Sequence, residues 1–128
     1  PKPLEDILIS SNKNVCSYVN NNTKFTKKIP QHLQRLMIKE YCKENKLIIS
    51  AELLEYNNMD HLPILFYALE NKKFKKIIIF SVQSINTNAQ LIKKFKKKLN
   101  KYKKKIYFAN ESMQMNAQVI EKILKKLS

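Results

Sequence analysis

The chain has 128 residues and a mass of 15.2 kDa, enough for one domain with a real hydrophobic core. Its formal net charge is +15, from 25 basic residues against 10 acidic, and Arg35 is the only arginine. Glycine is absent, which excludes a G-x-G-x-x-G fingerprint and a P-loop, so no cofactor of either kind is expected.

Residues 1–13 read as a lead-in segment, and 14–128 as a single α/β domain. The N-terminus, Pro1-Lys2-Pro3-Leu4-Glu5-Asp6, has no apolar h-region, so no secretory signal is expected. No apolar run approaches the ~18 residues of a membrane span. Asn14 to Val19 predicts the first strand, and Asn20-Asn21-Asn22 a loop after it. Thr23 to Lys28 reads as polar loop. Ile29-Pro30 opens the first helix, which runs to about Asn45. Leu33, Leu36, Met37 and Tyr41 share one face of it, with Ile38 at the edge. Gln34 falls inside that apolar arc and needs hydrogen-bond partners there.

Lys46 to Ala51 predicts the second strand, and Glu52 to Met59 a loop with Glu52, Glu55 and Tyr56. Asp60 is the expected cap of a second helix, Leu62 to Asn71, with Pro63 in its first turn. Leu62, Leu65, Phe66 and Leu69 form its core face. Ile64 and Tyr67 point away and predict a homodimer contact.

Phe74 to Val82 holds the central strand. Its Ile77-Ile78-Ile79-Phe80 run is the continuous apolar pattern of a strand buried on both faces. Thr87 with Gln90 reads as a capping pair for a third helix, whose stripe is Leu91, Ile92, Phe95, Leu99 and Tyr102. Lys105 to Ala109 predicts the fourth strand, and a last helix buries Val119, Ile120, Ile123, Leu124 and Leu127. The alternation predicts a four-stranded parallel sheet in the order 2-1-3-4 with helices on both faces, a resolvase-like or flavodoxin-like three-layer sandwich.

In such a sheet ligands sit beyond the carboxyl ends of the strands. The loops gathered there carry Asn20, Glu55, Tyr56, Ser81 and Glu111, with Gln31 and Gln34 beside them. Carboxylates, amides and a tyrosine suit sugar hydroxyls or acid–base work. No catalytic residue is assigned. Cys16 and Cys42 have no metal-ligand or redox spacing and read as buried thiols of a reducing cytosol. His32 and His61 read as surface or cap residues, and no metal site is expected. The lysine coat reads first as a solvated surface and second as a nucleic-acid footprint, because specific readers favour arginine's fork.

The strand–helix order, with Gln31 and Gln34 opening the first helix, resembles the catalytic domain of serine recombinases. The resemblance implies a nucleophilic serine just after the first strand and several catalytic arginines. Asn20 stands at the serine position and Tyr18 at a nearby arginine position, and no arginine follows Arg35. A closer resemblance rests on Ile29-Pro30-Gln31-His32-Leu33-Gln34, Ile38-Lys39-Glu40-Tyr41-Cys42, Ser50-Ala51, Glu55-Tyr56, Met59, Phe80-Ser81 and Phe108-Ala109-Asn110-Glu111. These residues are similar to a small family of sporadically distributed bacterial proteins encoded in surface-carbohydrate gene clusters. That resemblance implies a cytosolic role in making lipopolysaccharide, capsule or a related glycan and implies no known reaction; together with the polar strand-end edge it makes a sugar or nucleotide-sugar the expected ligand. The family tends to carry Gly-Ser-Arg after the first strand, where this chain has Asn20-Asn21-Asn22. The alternative is a degenerate recombinase-like domain that binds nucleic acid through its lysines without strand exchange.

Overall fold

The computed structural model describes residues 14–56, 59–111 and 113–115. Strand β1 is Val15–Asn20, β2 is Ile49–Glu55, β3 is Lys76–Ile79 and β4 is Lys105–Phe108. Helix α1 is Gln31–Glu44, α2 is Pro63–Glu70 and α3 is Ala89–Tyr102. The four strands are parallel in the order β2-β1-β3-β4, as the alternation predicts. A short strand, β5 (Met113–Met115), adds antiparallel to β4 and extends the sheet to five. The predicted last helix and the lead-in segment lie outside the described residues.

The sheet is covered on both faces. Ile77 and Ile79 pack with Tyr18, Phe108 and the inner faces of α2 and α3. Ile78 and Phe80 pack on the other side with Val15, Val19, and Ile38, Tyr41 and Cys42 of α1. Ile77, Ile78 and Ile79 are each 0 % exposed. Full burial of such a side chain is worth about 1.5–3 kcal/mol, so this four-residue strand carries a large share of the core.

Several boundaries differ from the expectations. β2 runs through Glu55, so Glu52 and Glu55 are strand residues rather than loop. β3 stops at Ile79, because Ser81 turns the chain into a 3-10 turn, Val82–Ile85, through a reciprocal capping box with Ser84. Thr26–Lys28 also forms a 3-10 turn where polar loop was expected. α3 is capped by Asn88, whose side chain accepts the Leu91 N–H at 2.8 Å, and not by Thr87. The N-cap of α2 is Leu62 and not Asp60.

The buried face of α1 is also rotated from the expected one. Gln34, Ile38, Tyr41 and Cys42 are buried, while Leu33, Leu36 and Met37 are exposed. The Gln34 amide donates to the carbonyls of Asn20 and Ile29, which turns this side of the helix onto β1. On α2, Ile64 is half-buried against the core and only Tyr67 stands exposed, so the expected two-residue dimer patch reduces to one ring.

With no glycine in the chain, left-handed backbone among the described residues falls to Asn14, Lys46, Leu62 and Lys103. Lys46 follows α1, and the Leu47 N–H reaches back to the Cys42 carbonyl at 2.9 Å. That bond is the helix-ending 6→1 pattern in which the left-handed residue is usually glycine.

Candidate functional site

Hydrogen bonds tie together the loops beyond the carboxyl ends of β1 to β4. At their centre is a buried polar network around Asn20. The Asn20 amide donates to the Tyr18 hydroxyl at 3.0 Å and to the Ser84 carbonyl at 3.0 Å. Its carbonyl oxygen accepts the Thr26 hydroxyl at 2.8 Å and the Asn22 N–H at 3.2 Å. The Tyr18 hydroxyl donates to Glu55 at 2.9 Å. Burial, and then the Glu55 charge, push the Tyr18 phenol well above its ordinary value, so it stays a proton donor here.

Glu55 is 1 % exposed. It accepts the backbone N–H groups of Ile64, at 3.1 Å, and Leu65, at 3.4 Å. Those donors belong to the first turn of α2, where N–H groups have no partner within the helix. Gln31 donates to the Glu55 carbonyl at 2.9 Å and Gln34 to the Asn20 carbonyl at 2.8 Å. The sequence-predicted residues Asn20, Gln31, Gln34 and Glu55 therefore converge, and the first, third and fourth of them are buried and occupied in holding loops.

A second group joins β3 to β4. Glu111 accepts the Ser81 hydroxyl at 2.9 Å, the Val82 N–H at 2.7 Å and the Asn110 amide at 2.7 Å. Ser81 is fully buried and Glu111 is half-exposed at the rim. Asn20 meets this side through the Ser84 carbonyl. Tyr56, 78 % exposed, stands outside both groups.

A concavity at this edge lies apart from the seven residues expected from the sequence. A cleft of about 310 Å³ is lined by Asp60, His61, Phe66, Asn88, Gln90, Leu91 and Lys94. Lys94 holds its ammonium 4.8 Å from the Phe66 ring centroid. Thr87 bonds the Asp60 carbonyl at 3.1 Å, which joins the loop after β2 to the start of α3. Carboxylate, imidazole, amides, ammonium and aromatic ring share one wall system, with polar groups of the kind that orient a ligand in a cleft. His61 and Asp60 read in the sequence as a surface residue and a cap. Only the convergence of two loops distant in sequence brings them beside residues 88–94.

A larger cleft of about 580 Å³ runs between α1 and the edge strand, lined by Lys39, Cys42, Lys43, Leu47 and residues 49–52. It lies at the amino end of β2, away from the carboxyl ends of the strands, and holds none of the seven predicted residues. Burial pushes the Cys42 thiol up to about 11, so it is a poor nucleophile there. Among the described residues no group of His, Cys, Asp and Glu is arranged to hold a metal ion. No helix among them is long and apolar enough to cross a membrane.

No family model and no curated protein matches the chain. Among solved structures it is similar to the N-terminal catalytic domain of the TP901-1 integrase, with 16 % identity and a TM-score of 0.64, over 88 % of this chain and 92 % of that one. At that identity the likeness speaks for the fold. Asn20, at the position where the recombinase resemblance implies a serine, is an amide buried in four hydrogen bonds rather than an exposed hydroxyl. The chain has a resolvase-like α/β fold, similar to that of this integrase domain.

Proposed function

We propose that this is a cytosolic accessory protein or small enzyme of surface-polysaccharide biosynthesis, binding a sugar or nucleotide-sugar at the carboxyl edge of the sheet. The observation that carries the reading is the cleft of about 310 Å³ between the loop after β2 and the start of α3. Asp60 and His61 accept or donate to sugar hydroxyls there, Gln90 adds an amide, and Lys94 takes a phosphate. Asn20, Gln34, Glu55 and Ser81 support the edge from below, and Gln31, Tyr56 and Glu111 line its rim. Of the residues on which the surface-carbohydrate resemblance rests, Gln31, Gln34, Glu55, Tyr56, Ser81 and Glu111 fall on this edge, in keeping with the same reading. Equilibrium binding of a nucleotide-sugar panel to the wild type, His61→Ala and Gln90→Ala tests it. The expected result is saturable binding that each substitution weakens about tenfold, the effect of losing ~1.4 kcal/mol. Failure of every member to bind at millimolar concentration overturns the reading.

A second reading rests on the fold neighbour and on α3, whose Lys93, Lys97 and Lys101 are exposed. A degenerate recombinase-like domain would lay this face along nucleic acid without cutting it. Its affinity for duplex DNA would fall steeply with salt, as phosphate contacts require. No detectable binding in low salt removes it.

A further inference from the structure

We infer that the opposite, amino edge of the sheet holds a binding site for a compact phosphate or diphosphate group, in a cleft formed by Lys72, Lys75, Lys103, Lys104 and Tyr102. The inference is independent of the carboxyl-edge reading, because it uses the other ends of the strands. α2 ends at Glu70 and α3 at Tyr102, and β3 and β4 begin just beyond them, at Lys76 and Lys105. The two helix-to-strand turns therefore meet side by side, with Lys76 in register with Lys105 on the neighbouring strand. Between them lies a cleft of about 250 Å³ lined by those four lysines and Tyr102. That is below the ~300–1,000 Å³ of pockets for drug-sized ligands, so it suits a small anion or the charged end of a longer molecule.

From Asn71 to Asn110 the chain has thirteen lysines and no acidic residue. Glu70, the acid just before this stretch, is engaged with Lys98 at 2.9 Å. The ends of α2 and α3 each present roughly half a negative charge, so together they offset about one of the four lysine charges. Lys104 is only 9 % exposed, and its ammonium donates to the carbonyls of Asn71, at 2.5 Å, and Phe74. This fixes one cationic wall in place before any ligand arrives. Lys103 takes left-handed backbone, φ 50°, at the end of α3. Burial, and then Lys75, hold the Lys104 ammonium below the usual lysine range, and Lys76 is lowered by burial and by Lys105. A bound phosphate relieves that crowding, and lysine serves phosphate as a compact point charge.

The test titrates inorganic pyrophosphate into the full chain at constant ionic strength and follows backbone amide shifts. The expected result is saturable shifts centred on residues 71–76 and 102–105. The triple variant Lys72→Ser, Lys75→Ser, Lys103→Ser weakens binding at least tenfold. A control that removes three exposed charges elsewhere, Lys24→Ser, Lys27→Ser, Lys28→Ser, changes it less than twofold. Should the triple variant fail to fold, Lys75→Ser alone is expected to weaken binding at least threefold. Equal weakening by cleft and control variants overturns the inference in favour of diffuse charge. So does an absence of saturable pyrophosphate shifts while duplex DNA shifts the cleft and the outer face of α3 together.

Discussion

The carboxylate of Glu55, the last residue of β2, accepts the backbone N–H of Ile64 at 3.1 Å and so caps α2 from the neighbouring strand. The helix needs this, because its N-cap residue is Leu62, which offers no side-chain bond and sits in left-handed backbone at φ 46°. The same carboxylate holds the Tyr18 hydroxyl. One buried side chain thus sets the end of β1, the end of β2 and the start of α2.

Glu55→Gln is expected to destabilise the fold by about 1–3 kcal/mol, since the new amide donor would face hydrogen-bond donors at a buried site. Urea unfolding measures it. A loss below about 0.5 kcal/mol, the scale of an ordinary surface substitution, would show that Glu55 does not hold these elements.

The two faces of α1 make opposite predictions. Gln34→Leu removes two hydrogen bonds, one buried and one part-buried, and is expected to cost about 1–3 kcal/mol, although it makes the helix more apolar. Leu36→Gln, at a site 58 % exposed, is expected to stay within about 0.5 kcal/mol of wild type. Thermal unfolding of the pair decides which face is buried, and the reverse order of effects would contradict the structure.

Lys46 occupies the left-handed position after α1, at φ 55°. Lys46→Gly relieves the side-chain clash of that conformation and is expected to stabilise the protein by about 0.5–1 kcal/mol after the entropic cost of glycine. A lower unfolding midpoint in urea would count against that backbone assignment.

Alkaline pH should weaken the fold through groups whose folded values are raised. Burial lifts Cys16 to about 12 and Cys42 to about 11, from an ordinary 9.0, and lifts Tyr18 from 10.0. The unfolded chain releases these protons first, so their contribution is complete below the unfolded values and is lost as pH rises through the folded ones. Stability is expected to be flat through neutral pH and to fall from about pH 9 upward. Unfolding free energies measured across that range check it, and no decline by pH 11 would contradict the burial of these groups.

The parallel order was legible because the apolar Ile77–Phe80 run and three helical stripes leave few arrangements. Gln34 was legible as an amide needing partners, but not as the residue that orients its helix. That role depends on the Asn20 carbonyl, which the sequence places fourteen residues away. Glu52 and Glu55 made β2 look like loop. An edge strand shows alternate residues to solvent, and a buried carboxylate is affordable where three donors meet it. β5 left no trace, being three residues joined to one neighbour. Asn20, Glu55 and Ser81 were found as strand-end polar groups, yet their burial makes them supports. The cleft residues Asp60 and His61 carry no pattern, since their neighbours at residues 88–94 arrive only with the tertiary fold.

The most direct test of the proposed function maps backbone amide shifts across the whole sheet during titration with a nucleotide-sugar. Binding at the carboxyl edge predicts saturable shifts at His61, Gln90 and Lys94, with smaller ones at Tyr56 and Glu111. Shifts confined to residues 71–76 and 102–105, at the amino edge, would contradict it.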